Sequence, residues 1–182
     1  MKLIRRLLDK VRGEQDLNKL IKRGLKIGKN PIIMSGCNID PSHCWHIEMG
    51  DDVKIGHGTQ IIAHDGTTLN YLNYTRVANI KIGHRVFIGA GSIVLPGVTI
   101  GDDVIIGSGS VVSQSIPSNS IAVGSPARVV STVDKFVEKK KGRMNDKTIF
   151  SSEFTLRNPN FSNEQKNQMI EACDKYGEIF VE

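Results

Sequence analysis

A histidine followed by an aspartate, His64 and Asp65, is the pair of side chains in this sequence best suited to acid–base chemistry. An imidazole titrates near neutral pH, so it can take a proton from a hydroxyl group, and a nearby carboxylate can orient it. The pair follows the apolar run Ile61-Ile62-Ala63 and precedes a polar stretch, so it lies where an ordered element ends. We predict that His64 is a general base assisted by Asp65. The alternative is a surface turn without chemistry.

The remaining histidines have less distinctive surroundings. His57 and His84 each follow an Ile-Gly pair at the same point of a repeating pattern, which favours turn positions without a chemical role. The segment His43-Cys44-Trp45-His46, with Cys37 upstream, contains residue types that bind zinc. Adjacent side chains on one strand do not converge on one ion, however, and no Cys-x-x-Cys spacing is present. The sequence therefore predicts no metal site, and Trp45 is interpreted as a wall of a substrate pocket or as a packing residue.

An aliphatic residue recurs at every sixth position between residues 82 and 112, and Gly follows four of these six positions. Side chains alternate along a strand, so the aliphatic residue and the residue two positions earlier face the same side. Units this short can bury those side chains only by stacking on one another, as in a parallel β-helix. The aliphatic positions are Ile82, Ile88, Val94, Ile100, Ile106 and Val112.

Three units of six residues form one 18-residue coil, so residues 18 positions apart share a flat outer face. Two of the three faces carry apolar outward residues, and a monomer rarely leaves such faces exposed. The pattern predicts that one of them meets the C-terminal segment or a neighbouring subunit, and that the chain forms an oligomer. The outward pairs are Lys81 with Thr99, Phe87 with Ile105, and Ile93 with Val111.

The extent of the repeat also defines the parts of the chain. One long stretch lacks an aliphatic residue at every sixth position, and the repeat ends near Val130. Beyond that point, Ser162 and Gln165 have the spacing of a capping box, which predicts a helix that ends at about Tyr176. The predicted parts are an N-terminal helical segment at 1–26, a β-helix domain at 27–130 with an extruded loop at 62–79, and a C-terminal helical extension at 131–182.

Length and composition are those of a globular domain with modest appendages, since the chain has 182 residues, of which 39% are hydrophobic and 24% charged. A formal net charge of +5 suits nucleic acid, an anionic membrane surface or an anionic cofactor, and composition does not choose among them. The three cysteines, Cys37, Cys44 and Cys173, form no recognisable disulfide framework. An odd count without a secretory signal indicates a cytoplasmic protein.

The first twelve residues combine basic and apolar side chains at helical spacing. Charged residues interrupt the apolar run too often for a signal peptide or a membrane span. Two interpretations remain open. The segment packs on its own protein, or it forms a basic amphipathic helix at the inner face of an anionic membrane. Its apolar face consists of Leu3, Ile4, Leu7, Leu8 and Val11.

Two segments resemble a known family. The stretch KIGHRVFIGAGSIVLPGVTIGDDVIIGSGSVVSQSIPSNSIAVGSPARVV resembles the hexapeptide-repeat acyltransferases, in particular the O-acetyltransferases related to maltose and galactoside acetyltransferases. The preceding PSHCWHIEMGDDVKIGHGTQIIAHDGTT resembles their capsule and exopolysaccharide branch. The resemblance covers about residues 17–130. It implies a left-handed parallel β-helix, an exception to the usual right-handed crossover. It also implies a homotrimer with sites between subunits and acetyl-CoA as the co-substrate.

The resemblance further assigns roles to individual residues. The family's catalytic histidine, at the root of the extruded loop, corresponds to His64, which would deprotonate an acceptor hydroxyl while backbone amides stabilise the oxyanion. Ser125 stands where Asn is common, and His84 where Asp or Asn is common. Simple coil geometry would also explain the glycine turns. The residues that the resemblance puts beside acetyl-CoA are Phe87, Gly89, Ala90, Gly107, Ser108, Pro126 and Arg128.

The favoured hypothesis is an acetyl-CoA-dependent O-acetyltransferase that modifies a sugar hydroxyl in surface-polysaccharide biosynthesis, without a nucleic-acid partner. Tyr71 and Tyr74 in the extruded loop are candidate sugar-stacking groups beside Trp45. One alternative is transfer to a sugar amine, an amino-acid hydroxyl or an antibiotic. Another is a β-helix that binds ligands without catalysis. A carbonic-anhydrase-like enzyme would need a third histidine to accompany His64 and His84, which disfavours that class.

Overall fold

Short strands, most of them two or three residues long, recur at close intervals between Lys26 and Thr132. The computed structural model describes residues 15–182. The strands before the extruded loop are β1 (Lys26–Ile27), β2 (Ile32–Ile33), β3 (Asn38–Ile39), β4 (Ile47–Met49), β5 (Lys54–Ile55) and β6 (Gln60–Ile61). The loop contains β7 (His64–Asp65) and β8 (Arg76–Val77). After it come β9 (Ile80–Ile82), β10 (Phe87–Ile88), β11 (Ile93–Val94), β12 (Thr99–Ile100), β13 (Ile105–Ile106), β14 (Val111–Val112), β15 (Ser120–Val123) and β16 (Arg128–Thr132).

Successive strands of the coil belong to three different sheets, so the chain turns a corner after almost every strand. The first sheet has the order β1-β4-β9-β12, the second β2-β5-β10-β13-β15-β16, and the third β3-β6-β11-β14. All of these neighbours are parallel except the last pair of the second sheet, β15 and β16. In the regular region the paired residues are 18 positions apart, as Lys81 is with Thr99. The predicted 18-residue coil is therefore confirmed.

The inward positions form the core because each stacks on its counterpart one coil away. Every aliphatic residue of the strict repeat, from Ile82 to Val112, is at most 3% exposed. Three hydroxyl side chains also point inward and are fully buried. Thr59 donates a hydrogen bond to the carbonyl of Gly89, and Ser92 and Ser110 donate to the carbonyl of Gly107. The core therefore contains polar groups whose hydrogen bonds are satisfied within the stack.

The outward faces agree with the sequence pattern, because Phe87 pairs with Ile105 on the second sheet and Ile93 pairs with Val111 on the third. The side chain of Phe87 is 45% exposed, and the other three are half-buried. Two faces of the coil thus present apolar side chains to the outside of a single chain.

The extruded loop contains regular secondary structure. Strand β7 pairs in antiparallel fashion with β8, and a short helix, α2 (Leu69–Leu72), lies between them. A second, smaller excursion occurs one coil earlier, where a 3₁₀ helix at Cys44–His46 separates β3 from β4. The coil that contains it is longer than the regular one, since Ile39 pairs with Ile61 across 22 positions.

A short helix, α1 (Leu17–Lys22), precedes the first coil, and Asp16 caps it by accepting a hydrogen bond from the amide of Lys19. Leu20 of this helix and Leu25 belong to the same buried core as the coil residues. The basic amphipathic segment between Leu3 and Val11 lies outside the described residues. Within residues 15–182, no helix is both long and apolar enough to cross a membrane.

Residues 134–182 form a second compact unit, while the first ends at Val133. The helix α3 (Val133–Lys141) begins at that boundary, and a 3₁₀ helix occupies Ser152–Phe154. The last helix, α4 (Asn163–Tyr176), begins at a capping box of Ser162 and Gln165 and ends at Gly177, as predicted from the sequence. The strands β17 (Ile149–Phe150) and β18 (Phe180–Val181) form a parallel pair, which the sequence analysis did not predict.

We expect that replacement of Gly83 by Ala destabilises the protein by about 1–3 kcal/mol, the usual result of overpacking. A Cβ atom at this corner would lie 2.7 Å from the carbonyl carbon of Gly101 and 2.8 Å from the amide nitrogen of Asp102. Both are backbone atoms of the next coil, so they cannot rotate away. Denaturant unfolding followed by circular dichroism measures the change.

The matched control is Gly66→Ala, because a Cβ atom there meets nothing within 4 Å. That variant is expected to unfold at the wild-type midpoint. Equal midpoints for the two variants would contradict the close stacking of coils at Gly83.

Candidate active site

The ring of His64 lies against the carboxylate of Asp40, although the two residues are 24 positions apart. Asp40 directly follows β3, and His64 lies three residues beyond β6. Because β3 and β6 are neighbours in the third sheet, with Ile39 opposite Ile61, the ends of the two strands meet at one corner of the coil. There the Oδ2 atom of Asp40 is 2.5 Å from the Nδ1 atom of His64.

The carboxylate of Asp40 is buried, with 1% of its side chain exposed, and it accepts hydrogen bonds at both oxygens. Oδ1 accepts from the amides of Ser42 and His43 at 3.0 and 3.1 Å. Oδ2 accepts from the amides of Ala63 and His64 at 3.0 and 3.1 Å, in addition to the ring. Burial by itself would raise the pKa of Asp40, but the hydrogen bonds from the His64 ring and from the amides of Ser42 and His43 outweigh it, so the pKa lies below its ordinary value. Asp40 is therefore ionised at neutral pH.

An ionised carboxylate can only accept hydrogen bonds, so the Nδ1 atom of His64 carries the hydrogen that it donates to Asp40. In the neutral ring this leaves the lone pair on Nε2. The side chain of His64 is 38% exposed, so an external molecule has access to it. The pair therefore presents an oriented imidazole base at the surface of the coil, which can take a proton from a bound hydroxyl group.

Asp65 has different contacts from those expected of a catalytic partner. Its carboxylate accepts a hydrogen bond from the amide of Thr67 at 2.8 Å, within the loop that follows β7. This hydrogen bond, with a smaller contribution from the charge of Arg76, holds the pKa of Asp65 below its usual value. The carboxylate that contacts the ring of His64 is that of Asp40, and Asp65 supports the local turn.

Asp40 was not predicted as the partner of His64, because the coil that separates the two residues does not have the regular length. The excursion at Cys44–His46 adds residues between β3 and β6, so their register is 22 positions instead of 18. A search at the period of the repeat therefore does not connect the two residues. The one signal in the sequence was that Asp40 directly follows Ile39, at a corner position that Gly takes after Ile82, Ile88, Ile100 and Ile106.

Of the predicted acceptor-binding residues, Trp45 lies near His64, whereas Tyr71 and Tyr74 do not pack on it. Trp45 is half exposed, and its ring centroid lies 5.5 Å from that of His43, which in turn lies 4.9 Å from that of His64. Trp45 is thus close to the candidate base. Tyr71 and Tyr74 are 86% and 77% exposed in the extruded loop, so within one chain their rings extend into solvent and do not pack on His64.

The residues predicted beside acetyl-CoA lie along one corner of the coil, between the second and third sheets. Gly89 and Ala90 follow β10, and Gly107 and Ser108 follow β13 one coil later. A Cβ atom at Gly89 would lie 2.4 Å from the amide nitrogen of Ser108, so the two turns stack backbone on backbone. Ala90 and Ser108 are exposed, which leaves a column of accessible main chain.

The column continues toward the C-terminal end of the coil. Val123 stacks on Gly107, and the amide of Val111 donates to the carbonyl of Gly124 at 2.9 Å. Pro126 and Arg128 are exposed beyond this turn, and the Arg128 side chain donates to the carbonyl of Ala127. Phe87 lies on the outer surface of the second sheet, next to the same corner.

His64 and this column occupy different corners of one chain. His64 leaves the coil after a strand of the third sheet, where the regular chain turns toward the first sheet, whereas the column lies between the second and third sheets. The outer face of the third sheet, with Ile93 and Val111, separates them. The geometry of one chain therefore keeps the candidate base and the candidate cofactor surface apart.

Comparisons with known proteins agree with this architecture. Residues 79–114 match the family model described as bacterial transferase hexapeptide (six repeats). The chain is 36% identical over 162 residues to Protein CapG of Staphylococcus aureus, and the match covers 82% of this chain and 92% of CapG.

Two solved structures have the same fold over the coil. A maltose O-acetyltransferase from Clostridium difficile 630 is 30% identical, with a TM-score of 0.52, over 63% of this chain and 72% of that one. A hexapeptide-repeat-containing acetyltransferase from Vibrio cholerae O1 biovar eltor, in complex with acetyl coenzyme A, is 27% identical, with a TM-score of 0.54, over 61% of each chain. The chain therefore belongs to the hexapeptide-repeat family of bacterial transferases; its fold is a left-handed parallel β-helix, and it is an acyltransferase.

Proposed function

We propose that this acyltransferase transfers an acetyl group from acetyl-CoA to a sugar hydroxyl in surface-polysaccharide biosynthesis, with His64 as the general base. The observation that carries the proposal is the 2.5 Å contact between Asp40 and the ring of an accessible histidine. The names of two relatives support the reactants, since one is a maltose O-acetyltransferase and another was solved with acetyl coenzyme A. The resemblance of residues 41–68 to the capsule and exopolysaccharide branch supports the proposed role in polysaccharide assembly.

In the proposed reaction, Nε2 of His64 takes the proton of the acceptor hydroxyl as its oxygen attacks the thioester carbonyl. The ionised Asp40 stabilises the imidazolium that forms and keeps Nδ1 in its donor role. Collapse of the tetrahedral intermediate breaks the carbon–sulfur bond, and the departing thiolate of CoA receives the proton from His64. The products are the acetyl ester and free CoA, and His64 returns to its starting state without a covalent enzyme intermediate.

The column of exposed main chain at the second corner is the proposed surface for acetyl-CoA. Glycine at positions 89 and 107 allows coils to stack closely, so the peptide groups of the turns remain accessible to an extended ligand such as the pantetheine arm. Arg128 at the end of the column is a suitable partner for a phosphate group of CoA. Phe87 supplies an exposed aromatic face beside the column.

The separation of His64 from this column supports a homotrimer in which each site combines two subunits. The apolar outer faces of the second and third sheets give a neighbouring copy a surface to bury, and closed symmetric oligomers are the usual result of such contacts. A second copy would bring its column to the His64 corner of the first. We infer that a monomer does not contain a complete active site.

The acceptor is proposed to lie between Trp45 and the His64 ring, since an exposed aromatic face suits a sugar ring. Tyr71 and Tyr74 can reach an acceptor only if a neighbouring subunit or the acceptor itself approaches the extruded loop. We further infer a cytoplasmic reaction, because acetyl-CoA is a cytoplasmic metabolite. Contact of the N-terminal segment with the inner membrane surface remains a separate expectation.

Replacement of His64 by Ala is expected to lower the rate of acetyl transfer by about 10²–10⁴-fold, the usual contribution of a general base. Binding of CoA and the oligomeric state should not change, because the proposed CoA surface and the apolar faces consist of other residues. Chromatographic detection of the acetylated product, with calorimetry for CoA binding, tests this. Wild-type turnover in the variant would exclude the proposed mechanism.

Replacement of Asp40 by Asn is expected to reduce turnover by about 10²–10⁴-fold, because an amide no longer stabilises the donor tautomer of Nδ1 or the imidazolium. Asp65→Asn is the matched control, since its carboxylate contacts Thr67 and not the ring of His64. Steady-state kinetics of both variants should separate a large loss in kcat from a small one. A larger loss with Asp65→Asn would restore Asp65 as the partner.

Mixed assemblies test the two-subunit site. His64→Ala lacks the base, and Ser108→Trp blocks the column, so each variant alone should be inactive. If each site takes its base from one subunit and its column from the next, random mixing restores about one site in four. Activity of co-expressed, co-purified variants measures this. If base and column belong to the same chain, the mixture will be as inactive as its components.

A further inference from the structure

The imidazole of His43 contains a buried polar atom without a partner. Among the residues that the structure describes, its Nδ1 atom is the one buried side-chain nitrogen or oxygen that makes no hydrogen bond. Buried polar groups are nearly always satisfied, so an exception calls for a ligand or a functional reason. The backbone amide of His43, by contrast, donates a hydrogen bond to the carboxylate of Asp40 at 3.1 Å.

This imidazole lies beside two other groups that bind metal ions. One nitrogen of His43, one nitrogen of His64 and one carboxylate oxygen of Asp40 all lie within 4.8 Å of one another. A tetrahedral zinc ion with bonds of about 2.0–2.1 Å holds its ligand atoms about 3.3 Å apart, so shifts of about 1 Å in the side chains would bring the three together. Two imidazoles with a carboxylate are ligands that favour Zn²⁺ over Mg²⁺ or Ca²⁺.

We propose that Asp40, His43 and His64 form a binding site for Zn²⁺, with water as the fourth ligand. The site is open on the side of His64, whose side chain is 38% exposed, so the ion and its water have access. The donor set, two His and one carboxylate with an open position, is one that zinc adopts in proteins. His43 contributes the third ligand through a ring that otherwise packs against those of His64 and Trp45 and whose centroid lies 6.4 Å from that of His46.

The neighbours of His43 in the sequence do not take part. The Nδ1 atom of His46 is 2.7 Å from the side-chain oxygen of Asn79, and the thiol of Cys44 is buried and directed toward the carbonyl of Leu20. The 3₁₀ turn at Cys44–His46 thus sends successive side chains in different directions. For this reason the zinc ligands come from two coils, and the spacing within residues 43–46 does not resemble a zinc motif.

Zinc at this site would stop acetyl transfer, a consequence that rests on the proposed function of His64. If the ion binds Nδ1, the ring proton moves to Nε2, which then cannot accept a proton from the acceptor. If the ion binds Nε2, the lone pair that acts as the base is occupied. In either arrangement the same imidazole cannot bind zinc and act as a base, so zinc is an inhibitor that competes for a catalytic group.

Direct binding tests the site without any assay of activity. Zinc affinity of the full chain is measured by competition with a chromophoric chelator, for the wild type and for His43→Phe. Phenylalanine keeps an aromatic ring against His64 and Trp45 but removes the nitrogen. We expect affinity at least ~10-fold weaker in this variant, since even partners outside the ligand shell contribute that much. The matched control, His46→Phe in the same turn, should bind zinc as the wild type does, and Mg²⁺ should not compete.

Equal zinc affinity in the wild type and in His43→Phe would overturn the proposal, as would an equal loss in His46→Phe. Thermal melting without zinc identifies a variant that fails to fold, and His43→Leu then replaces it in the same comparison. A second measurement follows the acetylated product by chromatography, because CoA thiol itself binds zinc. Added zinc should abolish the activity of the wild type, and EDTA should restore it. Added zinc should not change the rate of His43→Phe. If the wild type has no transferase activity, the proposed function fails while the binding comparison still decides the zinc site.

Discussion

The six-residue register is the constraint on which the rest of this structure depends. A strand of two residues buries one side chain, and that side chain can find apolar neighbours only in the coils before and after it. The inward Ile and Val positions from Ile82 to Val112 therefore have to stay aligned, and the corners have to stack backbone on backbone. The same alignment leaves a column of accessible peptide groups along one corner. The scaffold and the proposed cofactor surface thus have one physical origin.

The candidate catalytic residues lie where the six-residue repeat is interrupted. The excursion at Cys44–His46 and the extruded loop after Ala63 both leave the coil next to the third sheet, and between them they bring Asp40 to His64. A buried carboxylate is stable there because four backbone amides and the ring donate hydrogen bonds to it. Those amides belong to the turns that the two excursions create. The irregular segments therefore build the candidate base, and the regular segments hold it in place.

This arrangement leaves the proposed active site incomplete within one chain, and it leaves one nitrogen of His43 without a hydrogen-bond partner. One chain presents the candidate base and the proposed cofactor column at different corners, so the proposed assembly with a second copy has a chemical reason besides the burial of apolar faces. The candidate base also lies beside His43, which has an unsatisfied nitrogen and is the third residue of the proposed zinc site. The imidazole that suits proton transfer, because it is oriented and accessible, suits a metal ion for the same reasons. A base of this kind is open to inhibition unless free zinc is scarce.

Local periodicity determined much of the fold from the sequence alone. The coil length, the inward and outward residues, the helix at residues 163–176 with its capping box, and the position of His64 at the root of the loop all follow from side-chain alternation and from capping chemistry, which act over a few residues. The pairing of Asp40 with His64, the different role of Asp65, the ribbon of β7 with β8 and the pair of β17 with β18 were decided by the tertiary structure. These contacts join segments whose separation in the chain is not one regular 18-residue coil, because inserted residues shift the register by amounts that only the folded path of the chain reveals. For the same reason the sequence excluded a metal site from adjacent residues, while the fold brought His43 to a carboxylate and an imidazole from two different coils.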